Sequence, residues 1–137
     1  MLNKSQRIAA TLPDGPDPYY LGYFERFNRG EFYEAHDVLE QLWLAEKKGH
    51  NYAFYKGLIQ LAGAFVHLQK NRLRPSAALF KLAHANLKSY PPNHRHLDVP
   101  HVLALIEHWL KKIEAGDFLQ NPLTLEHHPK IQVPHQA

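Results

Sequence analysis

The chain contains no cysteine and one methionine. Without a thiol there is no disulfide, no thiolate metal ligand and no cysteine nucleophile; the composition fits a reducing compartment. Long hydrophobic runs are missing too. The most apolar stretch, residues 52–68, carries Lys56, Gln60 and His67, and no stretch of bilayer-spanning length is free of charge. No membrane partner is expected. Met1–Gly15 holds no apolar segment of the kind a secretory signal needs, so a cytoplasmic location is expected. No nucleic-acid-binding motif is present, and the net charge is a mild +3. The pairs Lys47–Lys48 and Lys111–Lys112 fall near predicted helix C-termini, where the helix dipole favours cations. The remaining basic cluster, Lys70, Arg72 and Arg74, is too weak a patch to predict nucleic-acid binding. Strand-like alternation is absent, as is any residue pattern repeated at a fixed period.

What the chain does have is helical periodicity. Its 137 residues, 45% apolar and 21% charged, suit one domain with a real core. Asp17-Pro18 starts a short aromatic helix containing Tyr20, Tyr23, Phe24 and Phe27, which Gly30 closes. A second helix runs from about Glu31 to Lys47. A third, about Tyr52 to Lys70 and capped by Asn51, is apolar nearly all round and belongs at the centre. Pro75 lies in the first turn of a fourth helix, whose face includes Leu79, Leu82, Ala83 and Leu87. Asp98 and Pro100 start a fifth, which Gly116 ends. The expected fold is therefore all-α, a single-domain bundle of about five helices around a central apolar helix. Its organisation is an irregular segment over 1–16, a helical domain over 17–116 and an extended tail over 117–137, partly draped on the body.

The second helix mixes apolar and titratable residues. Each residue turns the helix by about 100°. Phe32, Ala35, Leu39, Leu42 and Trp43 then form one apolar arc, while His36 and Glu40 sit together at its edge, one turn apart. Glu34, Asp37 and Gln41 face water. On the third helix, Ala53, Gly57, Gln60, Ala64 and His67 share a narrow stripe of small and polar side chains. Small residues there would let the second helix approach closely and bring His36 and Glu40 to Gln60 and His67. The plain reading of such a cluster is a structural polar network, in which Glu40→Gln costs up to about 3–5 kcal/mol by stranding a buried charge. The functional reading makes His36 and Glu40 candidate catalytic residues, with Tyr33, Trp43, Gln60 and His67 as binding residues. The two histidine groups His94-Arg95-His96 and His127-His128 could chelate a metal weakly, and neither spacing is specific.

The motif His36-x-x-x-Glu40-x-x-Trp43 follows Phe27-Asn28-x-Gly30-x-Phe32-x-Glu34-Ala35 and precedes Gly57-Leu58-Ile59-Gln60-Leu61-Ala62 with His67-Leu68-Gln69. In that order the two blocks resemble domain-of-unknown-function family 309, small helical proteins marked by an HxxxExxW motif. The resemblance runs from about Tyr19 to Leu110. It implies an all-helical fold and the motif as an active-site candidate, and it supplies no reaction. Asp37 stands where that family commonly has Glu, and Lys56 where Gln is frequent.

Two functions compete. One is a ligand-binding or interaction module built around the His36–Glu40–Trp43 cluster, with Trp43 and Trp109 as apolar walls and a small molecule or protein as partner. It needs no cofactor. The alternative is a metal-dependent hydrolase in which His36, Glu40 and His67 hold a divalent metal such as zinc and leave a position for water. The HExxH pattern and paired Glu-x-x-His motifs are both absent, which weighs against it. A metal-free variant would use His36 as general base oriented by Glu40, yet neither block contains a serine or cysteine nucleophile.

Overall fold

Asp17 begins the first helix as the sequence requires. Its carboxylate accepts hydrogen bonds from the backbone N–H of Tyr19 at 2.7 Å and Tyr20 at 3.3 Å, and Pro18 occupies the first turn, where a missing N–H does no harm. The structure, a computed structural model, describes residues 17–134. The expected irregular segment 1–16 and the last three residues of the tail lie outside them.

Five helices follow in the described residues: α1 (Pro18–Asn28), α2 (Phe32–Ala45), α3 (Tyr52–Gln69), α4 (Leu73–Leu87) and α5 (Val99–Ala115). The fold is all-α apart from one two-residue ladder. Gly30 has φ of 80°, and around it Gly30 N–H bonds Phe27 O while Glu31 N–H reaches back to Arg26 O. This left-handed closure reverses the chain from α1 into α2.

Helix α3 packs against both α2 and α4. It buries Phe54, Tyr55, Leu58, Leu61, Ala62, Phe65 and Leu68. Phe65 is the hub: its ring lies 5.0–5.5 Å from those of Phe32, Phe80, Trp109 and Phe27. Trp109 is thus a core residue of α5, not the wall of a pocket.

Three local expectations need correction. Asn51 does not cap α3; its Oδ1 lies 2.6 Å from His94 Nε2. The stripe of small residues on α3 is covered by α4 rather than by α2. A side chain at Gly57 would meet Leu87 and Asn86, and Ser76 Oγ–H donates to Ala64 O at 2.8 Å. Leu82, expected on the inner face of α4, is 51% exposed.

Between α4 and α5 lies a short hairpin, β1 (Asn93–His94) paired antiparallel with β2 (Leu97–Asp98). Two residues per strand are too few to leave an alternating pattern. Its turn residues Arg95 and His96 have φ of 49° and 62°, the geometry of a tight hairpin that glycine or asparagine usually supplies. Tertiary contacts hold it here. Tyr20 O–H donates to Arg95 O at 3.0 Å, and the Arg95 guanidinium lies 4.9 Å from the Tyr20 ring centre. The His94 ring sits against Phe54 and Tyr90. Burial first, then the neighbouring Arg95 and His50 charges, hold its pKa below the usual histidine range.

After α5 the chain turns at Asp117 and Phe118, whose φ angles are 55° and 59°, and then runs without helix or strand along the body. Asn28 exchanges two hydrogen bonds with the backbone of Ile131, each 2.7 Å. Pro129, Ile131 and Pro134 are buried.

Candidate functional site

Helix α2 buries Phe32, Ala35, Leu39 and Leu42, the arc its periodicity predicts. His36 and Glu40 flank that arc. Their side chains are 32% and 37% exposed, and His36 Nε2 lies 3.7 Å from Glu40 Oε2. That distance is an ion-pair contact and too long for a hydrogen bond. The pair is a half-exposed edge pair, not the buried partnership the sequence suggested. Solvent screens it, and exposed pairs contribute about 0–1 kcal/mol. Glu40→Gln is therefore expected to shift the urea midpoint barely at all. A loss of several kcal/mol would show that Glu40 satisfies a buried charge after all.

Trp43 stands apart from this pair. It is partly buried, tilted against Tyr52 at 5.3 Å between ring centres, with its Nε1 buried and without a partner.

One turn before Glu40, α2 contributes to a groove of about 340 Å³ that it shares with α3 and α4. Tyr33 and His36 come from α2, Gln60 and His67 from α3. Four of the six predicted site residues therefore meet on one concave surface, while Glu40 and Trp43 do not line it. Ile59, Gly63 and Val66 of α3 with Leu79 of α4 form its apolar part, and Lys70 stands at its end. These last five escaped sequence reasoning. Ile59, Gly63, Val66 and Lys70 recur at spacings of three and four, so they form a helix stripe beside Gln60 and His67. That stripe was legible, but nothing in it separated groove from core.

Polar atoms in the groove are held unevenly. Tyr33 is 62% exposed, and its ring lies nearly parallel to that of His36, 6.2 Å away. Gln60 Oε1 accepts a hydrogen bond from Asn86 Nδ2 at 2.7 Å. The Nδ1 atoms of His36 and His67 are buried and have no hydrogen-bond partner. A proton on either Nδ1 would be a buried donor with nothing to accept it, an unfavourable state. This favours, for His67, the neutral ring with its proton on Nε2. For His67, burial, then the charges of Arg72 and Lys70, holds the pKa below the usual histidine range.

The metal alternative finds no assembled site. Among the described residues no three His, Asp or Glu side chains stand where they could share an ion, so His36, Glu40 and His67 do not form a ligand set in this structure. His127 stacks on Trp109 at 4.7 Å, and His94 is engaged with Asn51. A second cleft, about 430 Å³, lies between the hairpin and the tail, lined by Asn93, His96, Asp98, His101 and Ile131 among others. It contains none of the predicted site residues, and Asp98 there caps α5 through His101 N–H.

The class defined so far is a small helical bundle with a side groove beside an HxxxExxW helix. The family described as Domain of unknown function (DUF309) matches residues 20–88, half of the chain, and the chain belongs to that family. An uncharacterized protein of Aquifex aeolicus (strain VF5) is 30% identical over 106 residues. The match covers 77% of this chain and 31% of that protein, so the chain spans about a third of its relative's length. No solved structure matches. No helix among the described residues is long and apolar enough to cross a membrane.

Proposed function

We propose that this chain is a ligand-binding module and that its site is the groove between α2, α3 and α4. One observation carries the reading: two imidazoles, His36 and His67, each with a buried nitrogen lacking a hydrogen-bond partner, line one concave surface. Buried polar atoms in folded proteins are nearly always paired. Where two exceptions fall together beside an apolar floor, the arrangement is that of a small-molecule site, mostly apolar with a few convergent polar groups. The groove's volume of about 340 Å³ is at the small end of such sites, which run from about 300 to 1,000 Å³.

The test is a fragment screen by amide-resolved NMR, using a set of neutral, anionic and cationic small molecules. Binders are expected to shift the amides of Ile59, Gly63, Val66 and His67 together. Gly63→Leu, which fills the groove, is expected to abolish those shifts while the spectrum stays that of a folded protein. Binding confined to another surface, or unaffected by Gly63→Leu, would remove the groove as the site.

A further inference from the structure

We infer that the ligand of this groove is a small carboxylate with an apolar body. The inference rests on the groove being a ligand site and adds the chemistry of what fits there. Three of its five polar side chains, Gln60, His67 and Lys70, offer donors. Gln60 has its carbonyl oxygen engaged by Asn86, which leaves its NH2 to offer. His67, with Nδ1 buried and unpartnered, carries its proton on Nε2 and donates from there. Lys70 ends the groove with three N–H donors and a full positive charge, and the lining contains no carboxylate. Glu40 touches His36 but is not part of the lining.

These donors, one of them a cation, select an acceptor-rich anion and repel an ammonium. Hydrogen bonds to a charged acceptor are about twice as strong as neutral ones. The floor of Ile59, Val66 and Leu79 asks for an apolar body rather than a sugar. The groove's volume of about 340 Å³ suits a short branched or aromatic acid. A tetrahedral phosphate would need several cations or a helix N-terminus. Here the lining holds one lysine, which matches a single negative charge rather than two.

The experiment titrates hexanoate and benzoate into the full chain and follows its amide spectrum. Hexanamide and benzamide serve as neutral isosteres, and a tripeptide ending in leucine as an alternative source of the same carboxylate. Lys70→Gln is the test variant and Lys48→Gln, outside the lining, its control. The acids are expected to bind about tenfold more tightly than their amides, shifting Ile59 through His67. Lys70→Gln should erase that difference without changing amide binding, and Lys48→Gln should leave it intact. Equal binding of acid and amide, or a difference that survives Lys70→Gln, would overturn the carboxylate and leave the groove a neutral site. Tighter binding of the tripeptide would assign it to chain ends and overturn the small acid. If none of these probes reaches the groove the carboxylate is also lost, and the groove then stands or falls on the neutral and cationic fragments alone.

Discussion

Phe65→Ala is expected to lower stability by about 3–5 kcal/mol, the usual cost of removing a buried aromatic ring from a packed core. Phe65 is fully buried. Its ring meets Phe27 of α1, Phe32 of α2, Phe80 of α4 and Trp109 of α5 at centroid distances of 5.0–5.5 Å. Three of these contacts are edge-on, the geometry in which aromatic quadrupoles attract. One side chain thus joins every other helix of the bundle to α3. No neighbour can fill the void without abandoning another ring, so relaxation recovers little of the loss. Domains of this size have about 5–15 kcal/mol to lose, so the variant should melt on the order of 10–20 °C lower. Thermal and urea unfolding followed by far-UV circular dichroism check this. A midpoint close to the wild type would mean that the aromatic cluster is not the hub its geometry makes it.

Much of this architecture was legible because helix signals are local. Asp17-Pro18, Gly30 and Asp98-Val99-Pro100 mark ends through hydrogen bonds and dihedral limits confined to a few residues, and the structure ends its helices there. The near-complete apolar circumference of residues 52–68 could be satisfied only at the centre, and α3 lies there. What failed depended on partners distant in sequence. The hairpin turn at Arg95 and His96 contradicts local preference and exists because Tyr20, some 75 positions earlier, binds the Arg95 carbonyl. Asn51 looked like a cap, but its side chain faces His94, a residue the loop brings back over α3.

The candidate groove was partly legible by the same measure. Helix geometry alone puts His36 with Tyr33 and Gln60 with His67, and those four residues line the groove. It cannot say how deeply a helix edge is buried, and so Glu40 and Trp43 were grouped with His36 although they flank it outside the groove. Nor could it say which helix covers which stripe. That choice depends on the order of α2 and α4 around α3, and a pattern of small residues is silent on it.

Gly57 is where that choice becomes measurable. A Cβ at this position would lie 2.8 Å from Leu87 Cγ, 3.1 Å from Leu87 Cδ2 and 3.2 Å from Asn86 Cβ. The first is closer than real Cβ contacts allow, and the third involves an atom next to the α4 backbone, which cannot swing aside. Gly57→Val is expected to push α4 off α3 and to strain the Asn86–Gln60 hydrogen bond, costing about 3 kcal/mol, the upper part of the range for overpacking. Gly57→Ala discriminates more finely. In the middle of a helix alanine is favoured over glycine by about 1 kcal/mol, so without steric conflict the change would stabilise. With Leu87 in place the overlap should outweigh that gain and the variant should be less stable than wild type. In a Leu87→Ala background the two closest atoms are gone and only the 3.2 Å approach to Asn86 Cβ remains, so the same substitution should cost clearly less than it does with Leu87 in place. Urea midpoints of the four proteins give the sign directly. Stabilisation in both backgrounds would mean that α4 does not rest on Gly57. The stripe would then be open for α2, as periodicity alone suggested, and the groove between α2 and α4 would lose the wall that Leu79 provides.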